Sequence, residues 1–233
     1  MITRHIVALG GGGFSDDGPP SKLDDFILSL AQTPRPRICF LPTASGDSET
    51  YPVKFYRAFT PRDCRPSDLS LFNRTVADLR AFLLDQDVIY VGGGNTANML
   101  AVWRVHGVDA ILREAWGAGV VLAGVSAGAI CWFEAGVTDS FGLPPTGMRD
   151  GLGLLAGSAC PHYNSEPQRR PVYQELVRQG FPGGYAADDG VGLHFVEREL
   201  AEVVSETGGR FAYRVTLDGD AVRELQLEPR SLS

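Results

Sequence analysis

Several things are scarce in this 233-residue chain, and each scarcity excludes something. No apolar run approaches the length of a transmembrane helix, and the apolar stretch after Met1 is too short for a secretory leader. The four cysteines (Cys39, Cys64, Cys131, Cys160) are scattered and form no C-x-x-C pair, which argues against a disulfide scaffold and for a reduced, cytoplasmic setting. Histidine is equally sparse. His5, His106, His162 and His194 lie far apart, and Cys160-Pro161-His162 offers two potential ligands without partners, so no metal is expected. Basic residues are outnumbered, with 21 Lys and Arg against 28 Asp and Glu and a net charge of −7. That balance excludes nucleic acid and anionic membrane surfaces as natural partners, and the one basic cluster, Arg169-Arg170 with Arg178, is too small to reverse it.

What is present is a 44% apolar chain with 28 glycines, enough to bury one good core, read here as a single domain over residues 1–233. Strand and helix signals alternate through the first two-thirds. Ile6–Leu9, Ile38–Leu41, Leu69–Phe72, Val88–Val91 and Val120–Ala123 are short apolar runs. Between them lie helical patterns at 22–32, 48–60, from Thr75 (an N-cap with Asp78 three residues on), 95–103 and 108–116. Continuous rather than alternating apolar strands imply cover on both faces. The expected class is therefore α/β, a mostly parallel sheet between helices. Beyond residue 185, Val191–Val196, Glu199–Val204, Arg210–Leu217 and Ala221–Leu227 predict antiparallel strands that finish the sheet.

The most informative segment is Gly124-Val125-Ser126-Ala127-Gly128, a G-x-S-x-G placed straight after an apolar strand. A serine on a sharp strand-to-helix turn projects its hydroxyl above the sheet, and a helix from Ala127 to Glu134 would aim the Ala127 N–H at a developing oxyanion. A serine needs a base, and the base an orienting carboxylate. His162 is the leading base because it alone falls in a loop, beside Pro161. Two acid sites compete, Asp139 and the pair Asp188-Asp189 at the end of strand 184–187, with Glu134 on the nucleophile helix as a further alternative. A second oxyanion donor is expected from Gly92-Gly93-Gly94-Asn95 after the strand Val88–Val91. Gly10–Gly13 is a different glycine run. It lacks both Gly-Lys-Ser/Thr and a well-spaced G-x-G-x-x-G, so a nucleotide is a poor fit, although a phosphate-binding protein without catalysis is the distant alternative.

In these segments the chain resembles the peptidase E family of serine peptidases, which includes the cyanophycinases. The pieces are Leu41-Pro42-Thr43-Ala44, Gly92-Gly93-Gly94-Asn95-Thr96, Gly124–Ala129, Cys160-Pro161-His162-Tyr163 and Ala187-Asp188-Asp189-Gly190, in the family's order. The resemblance implies a class I glutamine-amidotransferase-like (flavodoxin-like) fold, no cofactor, Ser126 as nucleophile, His162 as base and Gly93 and Ala127 as oxyanion donors. Its acid is Asp189 by the cyanophycinase pattern and Asp139 by the pattern of peptidase E proper; Asp189 is preferred because Ala187–Leu193 matches that segment closely.

The resemblance further implies cleavage of short peptides, above all dipeptides with an N-terminal aspartate bound by Arg169 or Arg170, with Asn95 at the substrate. The loop Asn164–Gln168 is shorter than in peptidase E, a departure that bears on strict Asp-X specificity. A cyanophycin-like or β-aspartyl peptide is the nearer alternative substrate, and the chain is expected to be a monomer or homodimer.

Overall fold

The computed structural model describes residues 2–16, 18 and 20–232. Along the chain run β1 (His5–Leu9), α1 (Lys22–Ser29), β2 (Arg37–Leu41), α2 (Thr50–Phe59), β3 (Arg65–Asp68), α3 (Leu79–Leu84) and β4 (Val88–Val91). Next come α4 (Thr96–His106), α5 (Val108–Gly117), β5 (Val121–Val125), α6 (Ala127–Ile130), β6 (Phe133–Thr138), β7 (Thr146–Met148) and β8 (Leu155–Cys160). The chain closes with α7 (Arg169–Arg178), β9 (Gly184–Ala187), β10 (Val191–Val196), β11 (Glu199–Ser205), β12 (Ala212–Asp218), β13 (Ala221–Leu227) and β14 (Arg230–Ser231).

The main sheet has the order β14-β11-β10-β1-β5-β4-β2-β3, with β1 to β5 mutually parallel and β10 antiparallel to β1. The expected cover on both faces is present. Ile6 and Ala8 join one buried cluster with Ile89 and Leu122, while Val7 and Leu9 join another with Phe40, Tyr90 and Ala123. In the second cluster Phe14 packs edge-on against Phe40, Phe55 and Tyr90 at centroid distances of 5.1, 5.4 and 5.0 Å. Each such ring contributes about 1.5–3 kcal/mol by burial, and together they pin the 3₁₀ turn Gly13–Ser15 to the body of the fold.

Of the C-terminal strands expected to finish that sheet, β10 and β11 do so, and β12 and β13 do not. A second sheet forms, β13-β12-β9-β8-β6-β7, and the C-terminal hairpins divide between the two. β10 and β11 pair onto β1, whereas β12 and β13 pair onto β9. Strand periodicity carries no information about partners, so only the pairing of β9 with β8 reveals the split. One consequence matters for function: the three residues Asp188-Asp189-Gly190 carry the chain from β9 in one sheet to β10 in the other.

Three local expectations are corrected. The helix starting after Thr75 instead begins at Leu79, because Asp78 is the cap and accepts the Ala81 N–H at 2.9 Å. The strand expected at 69–72 is Arg65–Asp68; beyond it the Leu71 and Phe72 N–H groups donate to Asp47 at 2.6 and 2.8 Å, which ends sheet pairing. The nucleophile helix stops at Ile130, and Glu134 lies on β6, where its carboxylate accepts the Gly157 N–H at 2.9 Å.

Candidate active site

Ser126 caps β5 with φ 56° and ψ −112°, a left-handed backbone that a non-glycine residue adopts only under constraint. The constraint is packing. A Cβ on Gly124 would lie 2.1 Å from the Gly128 carbonyl oxygen, and one on Gly128 would lie 2.3 Å from that of Val91. Both glycines of the pentapeptide are therefore required for α6 to fold back over β5 and β4. Ala127 heads α6, so its N–H has no acceptor within the helix.

His162 follows β8 and also has φ 56°. Its backbone N–H donates to the Gly10 carbonyl at 3.0 Å, while the Ser126 N–H donates to the Leu9 carbonyl at 3.2 Å. Two consecutive carbonyls at the end of β1 thus hold the serine of one sheet beside the histidine of the other. The two side chains are not hydrogen-bonded to each other among the described residues.

Asp189 is the acid that meets the histidine, with His162 Nδ1 and Asp189 Oδ1 2.7 Å apart. The Asp189 N–H donates to Asn164 Oδ1 at 2.8 Å, which fixes the backbone that presents the carboxylate. Partial burial works against its charge, but hydrogen bonds from His162 and Ser165, with the nearby Arg210 charge, hold its pKa below the ordinary carboxylate value. Asp188 turns the other way. It is buried and accepts the Phe211 N–H at 3.0 Å, and burial raises its pKa. Asp139 is half-exposed, and its contact is with Arg169 at 3.8 Å, not with His162.

The glycine run Gly10–Gly13 is no phosphate cradle. A Cβ on Gly11 would fall 2.1 Å from Asp189 Oδ1 and 3.0 Å from His162 Nδ1, and one on Gly10 would fall 2.4 Å from the Asp188 carbonyl oxygen. Gly10 to Gly12 are bare because the histidine–aspartate pair and its turn pack directly against them, and Gly13 because Tyr90 Oη does.

Other candidate residues stand differently from expectation. Arg169 is 2% exposed; its guanidinium donates to the Val137 carbonyl at 2.5 Å and to Glu166 at 2.7 Å. Arg170 pairs with Glu224 and lies over the Tyr163 and Tyr213 rings at 5.2 and 5.0 Å. Both arginines are engaged within the protein. Asn95 caps α4, accepting the Asn98 N–H at 2.8 Å and donating to the Ser140 carbonyl at 2.9 Å, so it braces the loop after β6. Gly93 adjoins Ser126 as expected, but its N–H donates to Tyr51 Oη at 3.0 Å. Tyr51 and Asn164 carried no motif in the sequence. Tyr51 sits in a helix named only by its periodicity, and Asn164 in a loop judged only by its length.

The four cysteines are unpaired and buried, and no group of three or more metal-ligating side chains occurs among the described residues. No helix among them is long and apolar enough to cross a membrane.

Comparison with known proteins shows the family and the fold. The uncharacterised peptidase YgaJ of Bacillus subtilis is 53% identical over 230 residues, covering 98% of this chain and 99% of that protein. An uncharacterised peptidase of Listeria monocytogenes is 29% identical over 153 residues, covering 61% of this chain and 72% of its own. Among solved structures, a peptidase from an acI-B1 Actinobacterium superposes with a TM-score of 0.70 at 19% identity, covering 98% of this chain and 95% of that one, and so shares the fold. A peptidase E-type protein from Listeria monocytogenes EGD-e gives 0.61 at 18% identity, covering 97% and 100%. Residues 6–203 match the description Peptidase family S51, and with the extent of these likenesses the chain belongs to that family and is a peptidase.

Proposed function

We propose that the protein is a serine exopeptidase acting on short peptides, with Ser126 as nucleophile, His162 as base and Asp189 as the orienting acid. The observation that carries this reading is the 2.7 Å His162–Asp189 contact, together with the Leu9 and Gly10 carbonyls that hold Ser126 and His162 side by side. Ser126 Oγ attacks the scissile carbonyl carbon while His162 Nε2 takes its proton, leaving a tetrahedral oxyanion. As the C–N bond breaks, that proton passes to the leaving amine. Water, deprotonated by His162, then releases the acyl group from Ser126. Asp189, bonded at Nδ1, keeps Nε2 free to accept and stabilises the imidazolium once formed.

An N-terminal aspartate is the substrate the family resemblance favours. Its carboxylate would reach Arg169 only by displacing the half-exposed Asp139 or Glu166, or reach Arg170 by displacing Glu224. The deciding experiment is hydrolysis of an X-Leu dipeptide panel (X = Asp, Glu, Asn, Ala, Leu, Lys) by wild type and Ser126→Ala, with a fluorophosphonate label read at Ser126. Turnover lost in the variant, with labelling of Ser126, supports the serine mechanism. Preference for Asp-Leu supports the acidic specificity, and flat cleavage removes it. Undiminished turnover by Ser126→Ala overturns the reading.

A further inference from the structure

The backbone donor expected to face the oxyanion does not do so directly: Gly93 N–H already donates to Tyr51 Oη at 3.0 Å. Resting on the serine-peptidase reading of this site, we propose that the Tyr51 hydroxyl is itself a catalytic donor, presenting its proton to the oxyanion of the tetrahedral intermediate beside the Ala127 N–H.

Three observations place the hydroxyl there. A carbon built on Gly93 would lie 3.4 Å from Ser126 Cβ and 3.8 Å from Tyr51 Oη, so one atom-sized space touches both the nucleophile's side chain and the phenol. The ring is held in place. It packs on Phe40 at 4.9 Å and on Phe14 at 5.6 Å between centroids, and it fills the volume a Cβ on Gly92 would need, with Cε1 2.9 Å from that position. Finally, Tyr51 Oη is 2.6 Å from Ser15 Oγ, on the 3₁₀ turn that follows the glycine run behind His162 and Asp189.

The hydrogen-bond inventory then fixes the role. A phenol carries one proton and accepts through its oxygen. Gly93 N–H donates to Oη, and the Ser15 contact can run in either direction; once Ser15 O–H donates as well, the single Tyr51 proton is directed to a third partner. In the free protein it can rest on Ser15; when the carbonyl oxygen of a substrate gains charge, it turns to that oxygen. Burial raises the Tyr51 pKa, so the hydroxyl stays protonated at neutral pH, while the Ser15 and Gly93 contacts polarise it. No proton is transferred. Tyr51 donates a hydrogen bond that strengthens as the oxyanion forms, and the Gly93 dipole acts through it.

The test compares steady-state kinetics of wild type, Tyr51→Phe and Ser126→Ala on the fastest substrate of the dipeptide panel, with thermal unfolding of each. Losing one oxyanion donor typically lowers kcat by about 10²–10³, and Tyr51→Phe is expected in that range with KM within about threefold, since the ground-state carbonyl binds the phenol weakly. A Tyr51→Phe enzyme that keeps kcat within about threefold overturns the proposal. If Ser126→Ala is inactive in the same experiment, the serine mechanism survives that result; if it is active, the mechanism itself has failed. Fluorotyrosine at position 51 covers the case in which Tyr51→Phe folds poorly. Fluorination makes the phenol more acidic, so the alkaline limb of the kcat profile moves to lower pH, because the phenolate cannot donate. An unmoved limb overturns the proposal.

Discussion

The carboxylate of Asp189 stands where any side chain on Gly11 would have to go, with Oδ1 2.1 Å from the position of a Cβ there. His162 Nδ1 borders the same point at 3.0 Å. Gly10 and Gly11 are therefore a wall of the His162–Asp189 pair. Gly11→Ala should displace Asp189 from His162 and lower kcat by about 10²-fold or more, as misplacement by an ångström does elsewhere. Kinetics with a circular-dichroism check of the fold measure this; wild-type kcat in a folded Gly11→Ala protein contradicts it.

The two rival acids separate cleanly by substitution. Asp189→Asn should reduce kcat by about 10³–10⁴, because an amide can present its N–H to Nδ1 and enforce the wrong tautomer. Asp139→Asn, whose carboxylate contacts Arg169 at 3.8 Å, should retain kcat within about tenfold. Parallel kinetics on one substrate decide, and the reverse ranking assigns the acid role to Asp139.

Arg169 is expected to act on stability. Its guanidinium donates to the carbonyl of the buried Val137. Arg169→Met removes the buried hydrogen bond to that carbonyl and the ion pair with Glu166, and should cost about 1–3 kcal/mol, read as a lower denaturant midpoint. An unchanged midpoint would mean that water replaces the guanidinium without loss.

Stability should also fall as pH rises from about 4 to 7, on account of Asp24. It is wholly buried, and burial pushes its pKa up to about 7, against the opposing Arg62 guanidinium 3.8 Å away. In that interval the native state holds a proton that the unfolded chain has released. The stabilisation is complete below the unfolded pKa and is lost as pH passes the folded one, at no more than about 1.4 kcal/mol per pH unit. Denaturant titrations of wild type and Asp24→Asn should diverge across this window. Curves that run parallel would show that Asp24 titrates normally.

The central strands and the serine turn were legible because each is local. β2, β4, β5 and β10 are short apolar runs bounded by turns, and G-x-S-x-G states its own backbone requirement. β6, β7 and β8 are not legible in the sequence. β6 and β8 contain glycine and small residues with no clean period, and β7 spans only three residues. Leu69 and Leu71 carry a strand-like pattern at 69–72 but are buried as part of a loop beyond the end of β3. The arginine pair shows a different limit. Sequence places Arg169 and Arg170 after the histidine, but whether a guanidinium faces substrate or the Val137 carbonyl depends on residues more than thirty positions away.

By itself the sequence determined the residue types a hydrolytic site requires, because strand–turn–helix geometry at Ser126, a loop histidine and a strand-end acid are written in short range. Tertiary structure decided how they meet. Ser126 belongs to one sheet and follows β5; His162 follows β8 in the other; and Asp189 sits in the three-residue crossing between the two. They converge because two successive carbonyls at the end of β1, those of Leu9 and Gly10, accept the Ser126 and His162 N–H groups, and because Gly10 and Gly11 carry no side chains. Only long-range backbone pairing, which no local pattern encodes, selects Asp189 over Asp139 as the partner of His162 and brings Tyr51 to Gly93.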